Sequence, residues 1–346
     1  MNDLKKLNPV NLNNKERVKE FLERYDYILC DCDGVLWLSN NAVPGVAKTL
    51  NRLRELGKKI IFATNNSTKT REEFMNKLRR LGYIAYMDEL FPTSYSTAVY
   101  LNSIGFDGQA YVIGCSGISK ELAKFGIESE GVGLEPTPDD WIPGYADIED
   151  YNYEINAVIV GFDNQISFPK LVKACSYVKK PNCKFIAANA DETFPPPNDK
   201  VMVPGPGAYI AAIEAVTKKK AINMGKPYKF FFECIKHVHK DIDNKRTIMI
   251  GDRLTTDMVF GRNNGISTLF VQSGLGTYEE MINYKNSNKP EDRVCVPDYY
   301  LPNKTTEKDE GKFLERTGEK ILEKDKEKNL KKEEENNSKD DSDFAK

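Results

Sequence analysis

The chain has 346 residues, 40% of them hydrophobic and 10% aromatic, with a formal net charge of −2 and a pI near 6.0. That length and apolar content can bury the cores of two domains, and so even a charge balance lacks the basic footprint of a nucleic-acid binder. No apolar run is long enough to span a bilayer, and Met1-Asn2-Asp3-Leu4-Lys5-Lys6 leads into no signal-peptide core; a cytosolic protein with no membrane partner is expected. The seven cysteines are scattered, odd in number and form no Cys-x-x-Cys pair, which argues for reduced thiols rather than disulfides or a zinc site.

A polar, Asn-rich opening through about Asn14 precedes a short helix expected across Lys15 to Tyr25. Tyr27-Ile28-Leu29 then reads as a buried strand, and Asp31 and Asp33 follow where it should end. Residues two apart on an extended backbone point the same way, so the two aspartates face one space while Cys30 and Cys32 face the other. Two carboxylates aimed at one point repel unless a cation lies between them, and a hard ion such as Mg²⁺ suits so sparse a set of oxygens. By itself an Asp-x-Asp-Gly is usually a solvated turn.

Pro44, Val46, Leu50, Leu53, Leu56 and Gly57 outline an amphipathic helix, and Lys58 to Ala63 a second strand. Strand, helix and strand at this spacing predict a parallel pair with a right-handed crossover. Thr64-Asn65-Asn66-Ser67 ends that strand ahead of a helix with Phe74, Leu78 and Leu81 on one face, where Thr70 and Glu73 can form a capping box. A hydroxyl, amides and free backbone N–H groups at a helix start make an anion site.

From about Thr97 a second set of elements begins. Ala110 to Gly114, Ala157 to Phe162 and Lys184 to Ala188 read as strands, Ser119 to Phe125 and Phe168 to Val178 as helices. The third strand closes at Asn189-Ala190-Asp191, and Pro195-Pro196-Pro197 and Pro204-Gly205-Pro206-Gly207 bound the insertion. The first unit resumes at Gly225-Lys226-Pro227, where Pro227 is expected in the first turn of a helix carrying Phe230, Phe231, Cys234, Ile235 and Val238. His237 and His239, the only histidines, do not share a helix face, which argues against a His-based metal site or triad. Thr247 to Ile250 is another buried strand running into Gly251-Asp252 and, further on, Asp257. Ser267 to Val271 is a last core strand, Ser273-Gly274-Leu275-Gly276 a turn, and Pro297 to Leu301 ends the pattern.

The expected organisation is therefore an α/β core over 15–96 and 219–302, an inserted α/β domain over 97–218, and a charged, disordered tail over 303–346. Four strand ends carry a carboxylate pair, a Thr-Asn-Asn-Ser loop, a lysine and a Gly-Asp with a second Asp. In a parallel sheet such ends lie on one edge and can converge. They supply a nucleophile, an acid/base, a cation site and an anion clamp, the set that phosphoryl transfer through an aspartyl-phosphate needs.

In these four motifs, from Asp31-Cys32-Asp33-Gly34-Val35-Leu36-Trp37 to Gly251-Asp252 and Asp257, the sequence resembles the haloacid dehalogenase-like phosphatases over roughly Tyr25 to Leu301. The Trp37 and the Gly251-Asp252-Arg253-Leu254-x-Thr256-Asp257 run are most similar to the phosphoglycolate and pyridoxal phosphatase branch. The resemblance implies a doubly wound parallel core sheet, an inserted cap and Mg²⁺. It implies Asp31 as nucleophile and metal ligand, Asp33 as general acid/base and ligand through its carbonyl, Asp252 as a third ligand, and Asp257 in support. Thr64, Asn65, Asn66 and Lys226 would hold the phosphoryl group, Asn189 and Asp191 are cap residues that could face the substrate, and a homodimer would form through the cap. Trp37 is expected to pack in the core or flap. The activity implied is hydrolysis of small phosphomonoesters, 2-phosphoglycolate first and pyridoxal phosphate second; a silent binding protein on the same fold would be expected to have lost part of this set.

Overall fold

The computed structural model describes residues 8–135, 151–194 and 200–301. The proline run at 195–197 and the charged segment 303–346 lie outside the described residues. Seven strands form one wholly parallel sheet, in the order Val10–Asn11, Tyr299–Leu301, Ser267–Val271, Thr247–Gly251, Tyr27–Cys30, Lys59–Thr64 and Leu90–Pro92. Five more form a second parallel sheet, in the order Ile222–Asn223, Lys184–Ala187, Ile155–Val160, Gln109–Ile113 and Ser129–Glu130.

The period of two along each strand divides its side chains between two cores. In the first sheet Ile28, Cys30, Ile60, Phe62 and Ile248 pack on one face, and Tyr27, Leu29, Ile61, Ala63 and Met249 on the other. The second sheet repeats the device, with Ile113, Val158 and Phe185 on one face and Val112, Ile159 and Ile186 on the other. Helices cover both faces of a doubly wound architecture. Two of them lie between the sheets. Thr93–Ser103 sends Tyr95 to the first sheet and Ala98 and Leu101 to the second, while Lys229–Val238 sends Phe231 and Ile235 to the first and Phe230 to the second.

Several boundaries differ from the sequence expectation. Val10–Asn11 pairs with Tyr299–Leu301, so the first sheet draws on residues ahead of position 15. Helix Thr93–Ser103 runs straight across position 97, because its Ser and Thr side chains, apolar on neither face by composition, are buried between two layers. Ile222–Asn223 pairs with Ile186–Ala187, so the second sheet extends beyond residue 218. Pro227 lies ahead of its helix, which starts at Lys229 with Tyr228 as N-cap. Asn65 holds both the N–H and the carbonyl of Lys226, and the Tyr228 N–H bonds to the Gly225 carbonyl at 3.0 Å, so a separate turn precedes the helix.

Contacts between the layers are polar as well as apolar. The buried carboxylate of Glu121, on cap helix Ser116–Ala123, accepts from the backbone N–H of Arg71 at 2.7 Å, at the start of the Arg71–Arg80 helix. Gly117 lies so close to Lys69 that a Cβ there would stand 2.6 Å from its backbone nitrogen. The second sheet is thereby fixed over the loop 64–70.

Candidate active site

The ends of Tyr27–Cys30, Lys59–Thr64 and Thr247–Gly251, neighbours in the sheet, converge with residues 225–226 at one edge. Asp31 continues the central strand, its N–H bonded to the carbonyl of Ile250 at 2.9 Å. Its carboxylate is buried and accepts from Lys226 Nζ at 2.6 Å. The same ammonium donates to the carbonyl of Ala63 at 2.9 Å and pairs with Asp257 at 2.8 Å. Asp257 is fixed from its other oxygen by the Arg253 N–H, 3.1 Å away. Asp252 is 1% exposed and accepts from the Leu275 N–H at 2.7 Å through Oδ2. Glycine alone fits around it: a Cβ on Gly274 would stand 1.9 Å from Asp252 Oδ2, and one on Gly34, at φ +92°, 2.4 Å.

Oxygens of Asp31, Asp252 and Asp257 lie within 4.8 Å of one another. Three buried carboxylates against one ammonium leave two negative charges in excess, and Asp252 Oδ1 is buried without a hydrogen-bond partner. Both facts suit a divalent cation bound by oxygen. Without one the electrostatics are strained. Burial pushes the Asp31 carboxyl well above the usual range against the pull of Lys226, with Asp257 and Asp252 adding to the rise. Asp252 is pushed up to about 6, by burial first and then by Asp257. Burial works against the Lys226 charge, but Asp257 and Asp31 outweigh it and hold the ammonium firmly protonated.

Asp33 stands apart from this cluster. It is half-buried and turns its carboxylate to Trp37 Nε1, at 2.8 Å, and Asn66 Nδ2, at 3.3 Å. Cys32, between the two aspartates, is buried among the apolar residues on the other face.

The second loop divides its expected work. Thr64 is buried, and its hydroxyl accepts from the Asn66 N–H at 3.1 Å. The amide of Asn65 bonds to the backbone of Lys226 and to Asp191. It accepts from the Lys226 N–H at 2.8 Å, donates to the Lys226 carbonyl at 3.0 Å, and so positions the lysine. Asn66 is spent on Asp33 and on its own loop. The cap residues meet this loop too: Asn189 donates to the carbonyl of Asn65 at 2.6 Å, and Asp191 accepts from its amide at 3.2 Å. Sequence reasoning missed the indole of Trp37 and also Arg253, whose guanidinium lies 3.8 Å from Asp191. Burial raises the Asp191 carboxyl, with Arg253 opposing. A cavity of about 470 Å³ opens beside Lys226, lined among others by Asp191, Thr193, Tyr228, Arg253, Thr256 and Leu275.

A parallel sheet whose strand ends gather an Asp-x-Asp, a buried lysine and two further aspartates defines a phosphoryl-transfer hydrolase. Family models described as haloacid dehalogenase-like hydrolase and HAD-hydrolase-like match residues 28–128 and 223–298. The chain is 38% identical over 298 residues to the human glycerol-3-phosphate phosphatase, covering 83% of this chain and 91% of that protein. It is 33% identical over 294 residues to a chloroplastic phosphoglycolate phosphatase of Arabidopsis thaliana, covering 82% and 77%. The solved structure of a p-nitrophenyl phosphatase from Archaeoglobus fulgidus superposes with a TM-score of 0.68 at 26% identity, covering 81% of this chain and 97% of that one. The chain belongs to the haloacid dehalogenase-like hydrolases, as a phosphatase of the branch that contains these enzymes.

Proposed function

We propose that the protein hydrolyses small phosphomonoesters through an aspartyl-phosphate on Asp31, with Mg²⁺ as its metal and 2-phosphoglycolate as its first-choice substrate. The observation that carries the mechanism is the contrast between the two aspartates. Asp31 is buried and held by an ammonium, whereas Asp33 lies outside the carboxylate cluster and faces hydrogen-bond donors. Asp31, its Oδ1 accepting from Lys226, forms a bond from carboxylate oxygen to phosphorus as the phosphorus–ester oxygen bond breaks. Asp33 gives its proton to the departing oxygen. In the second half Asp33 takes a proton from water as that water's oxygen attacks phosphorus and the bond to Asp31 breaks.

Asp31, Asp252 and the Asp33 carbonyl would hold Mg²⁺, which when bound supplies positive charge to the phosphoryl oxygens. Lys226 adds a fixed charge beside Asp31, and the Thr64 hydroxyl, which accepts from the Asn66 N–H, keeps its own proton to donate.

Arg253 in the cavity beside Lys226 supports a substrate with a second anionic group. The glycerol-3-phosphate and phosphoglycolate phosphatases among the relatives support small aliphatic esters in general. Steady-state kcat/KM for 2-phosphoglycolate, glycerol 3-phosphate and pyridoxal phosphate tests the choice, and a preference for pyridoxal phosphate removes it. The covalent step is tested by Asp31→Asn, in which turnover and the acid-stable trapped phosphoenzyme should both vanish.

A further inference from the structure

We propose that Trp37 and Asn66 are positioning residues that clamp the Asp33 carboxylate, one on each oxygen, and aim it at the leaving-group oxygen. The inference rests on the reading of Asp33 as the acid/base. Trp37 is fully buried, and its one polar atom, Nε1, donates to Asp33 Oδ1 at 2.8 Å. The tight turn after the central strand makes this reach: the Gly34 N–H bonds to the Trp37 carbonyl at 2.9 Å, and the Leu36 N–H to the Cys32 carbonyl at 2.8 Å.

The indole ring itself is held by Phe74 and Lys77. Its ring stacks on Phe74 at 6.5 Å between centroids and 19° between planes. Lys77 Nζ lies 3.9 Å from the ring centroid and donates to the carbonyl of Ser39 at 2.9 Å, which ties down the antiparallel hairpin of Trp37–Leu38 and Asn41–Ala42. A buried indole N–H needs an acceptor, and here that acceptor is the acid/base.

The second jaw is equally determined. Asn66 Oδ1 accepts from the N–H and the hydroxyl of Thr68, at 3.0 and 2.7 Å. That fixes the amide's orientation and turns its NH₂ toward Asp33 Oδ2, 3.3 Å away. Trp37 comes from the turn after one strand and Asn66 from the loop after its neighbour, so Asp33 is held between two elements. With Oδ1 taken by the shorter bond, Oδ2 is the oxygen that carries the proton to the ester oxygen and receives it back from water. Without the clamp the Asp33 side chain is free to swing about its χ angles, and a misplacement of about 1 Å is enough to cost about a hundredfold in rate.

The discriminating measurement is kcat/KM on two leaving groups with the Mg²⁺-loaded enzyme. A nitrophenolate departs without a proton, whereas the alkoxide of glycerol 3-phosphate does not. In Trp37→Phe, which keeps the stacked ring but loses the N–H, and in Asn66→Ala, kcat/KM should fall about tenfold or more for the alkyl ester and less than about threefold for p-nitrophenyl phosphate. Asp33→Asn should show the same selectivity at about 10²- to 10⁴-fold, and adding Trp37→Phe to it should cost nothing further. Equal losses on both esters, or a full extra loss in the double variant, mean that Trp37 is merely structural and overturn the inference. If Trp37→Phe fails to fold, Asn66→Ala, on a half-exposed loop residue, carries the same expectation. A uniform loss in Asp33→Asn itself overturns the acid/base reading; a selective loss there with none in Trp37→Phe and Asn66→Ala overturns the clamp alone.

Discussion

Replacing Asp252 by asparagine should make the metal-free protein more stable while destroying its activity. The carboxyl group of Asp252 is pushed from 3.8 to about 6 in the fold, and a shift of about 2 units corresponds to about 3 kcal/mol. The sign follows from which state binds the proton more tightly. Below about pH 4 the group is protonated in both states and contributes nothing; as pH rises to about 6 the unfolded chain ionises first and stability is lost; above that the full penalty remains. Asparagine escapes the penalty, and its amide oxygen can still accept from the Leu275 N–H that now bonds Oδ2. In chelator at pH 8, D252N should melt roughly 6 °C higher than the parent, and the gap should close toward pH 4. Saturating Mg²⁺, at about 100 times its dissociation constant, should raise the parent by about 2.7 kcal/mol and the variant by much less. Thermal melts in both buffers decide the matter. An equal or lower Tm for D252N in chelator, or the same Mg²⁺ shift in both proteins, would refute the charge imbalance argued for this cluster.

Other expectations follow from the same geometry. Gly274→Ala places a Cβ 1.9 Å from Asp252 Oδ2, and displacing that carboxylate should lower kcat/KM about a hundredfold; an unchanged Mg²⁺ dependence of the rate would contradict it. Lys226→Met leaves Asp31 and Asp257 buried without their ammonium, so urea titration should show a loss of about 3–5 kcal/mol, partly restored by adding Asp257→Asn. Glu121→Ala strips the Arg71 N–H of its acceptor and Lys124 of a partner at 3.1 Å. It should cost about 1–3 kcal/mol, and hydrogen exchange should locate the loss at the start of the Arg71–Arg80 helix.

Much of this was legible in the chain. Apolar runs of four to six residues that end in Asp or Thr read as buried strands with their polar ends at a sheet edge, and helices between them predict parallel strands. The alternation in Tyr27–Cys30 turns Cys30 and Cys32 away from the aspartates, and both thiols are buried in the core on that side. Asp31 and Asp33 two apart raised the expectation of a cation between them, but the carboxylates that gather are Asp31, Asp252 and Asp257, with the Asp33 carboxylate turned to Trp37 and Asn66. The capping box of Thr70 and Glu73 likewise marked where the helix after the second loop begins.

What the sequence could not decide was which partner each polar side chain takes. Asn65, Asn66 and Trp37 each carry a side-chain hydrogen-bond donor, and nothing in their spacing distinguishes holding a phosphate from holding Lys226 or Asp33. Packing the cap over the loop 64–70 chose: Asn189 and Asp191 meet Asn65, and Asn65 in turn grips the backbone of Lys226. The layer boundaries were hidden for the same reason, since Thr93–Ser103 is buried on two sides at once and shows no amphipathic period. Local sequence determined the strands, their direction and the charged edge, because backbone periodicity and burial are read residue by residue. Only the tertiary structure assigned the hydrogen bonds there, because partners such as Lys226 and Asp31 lie 195 residues apart in the chain.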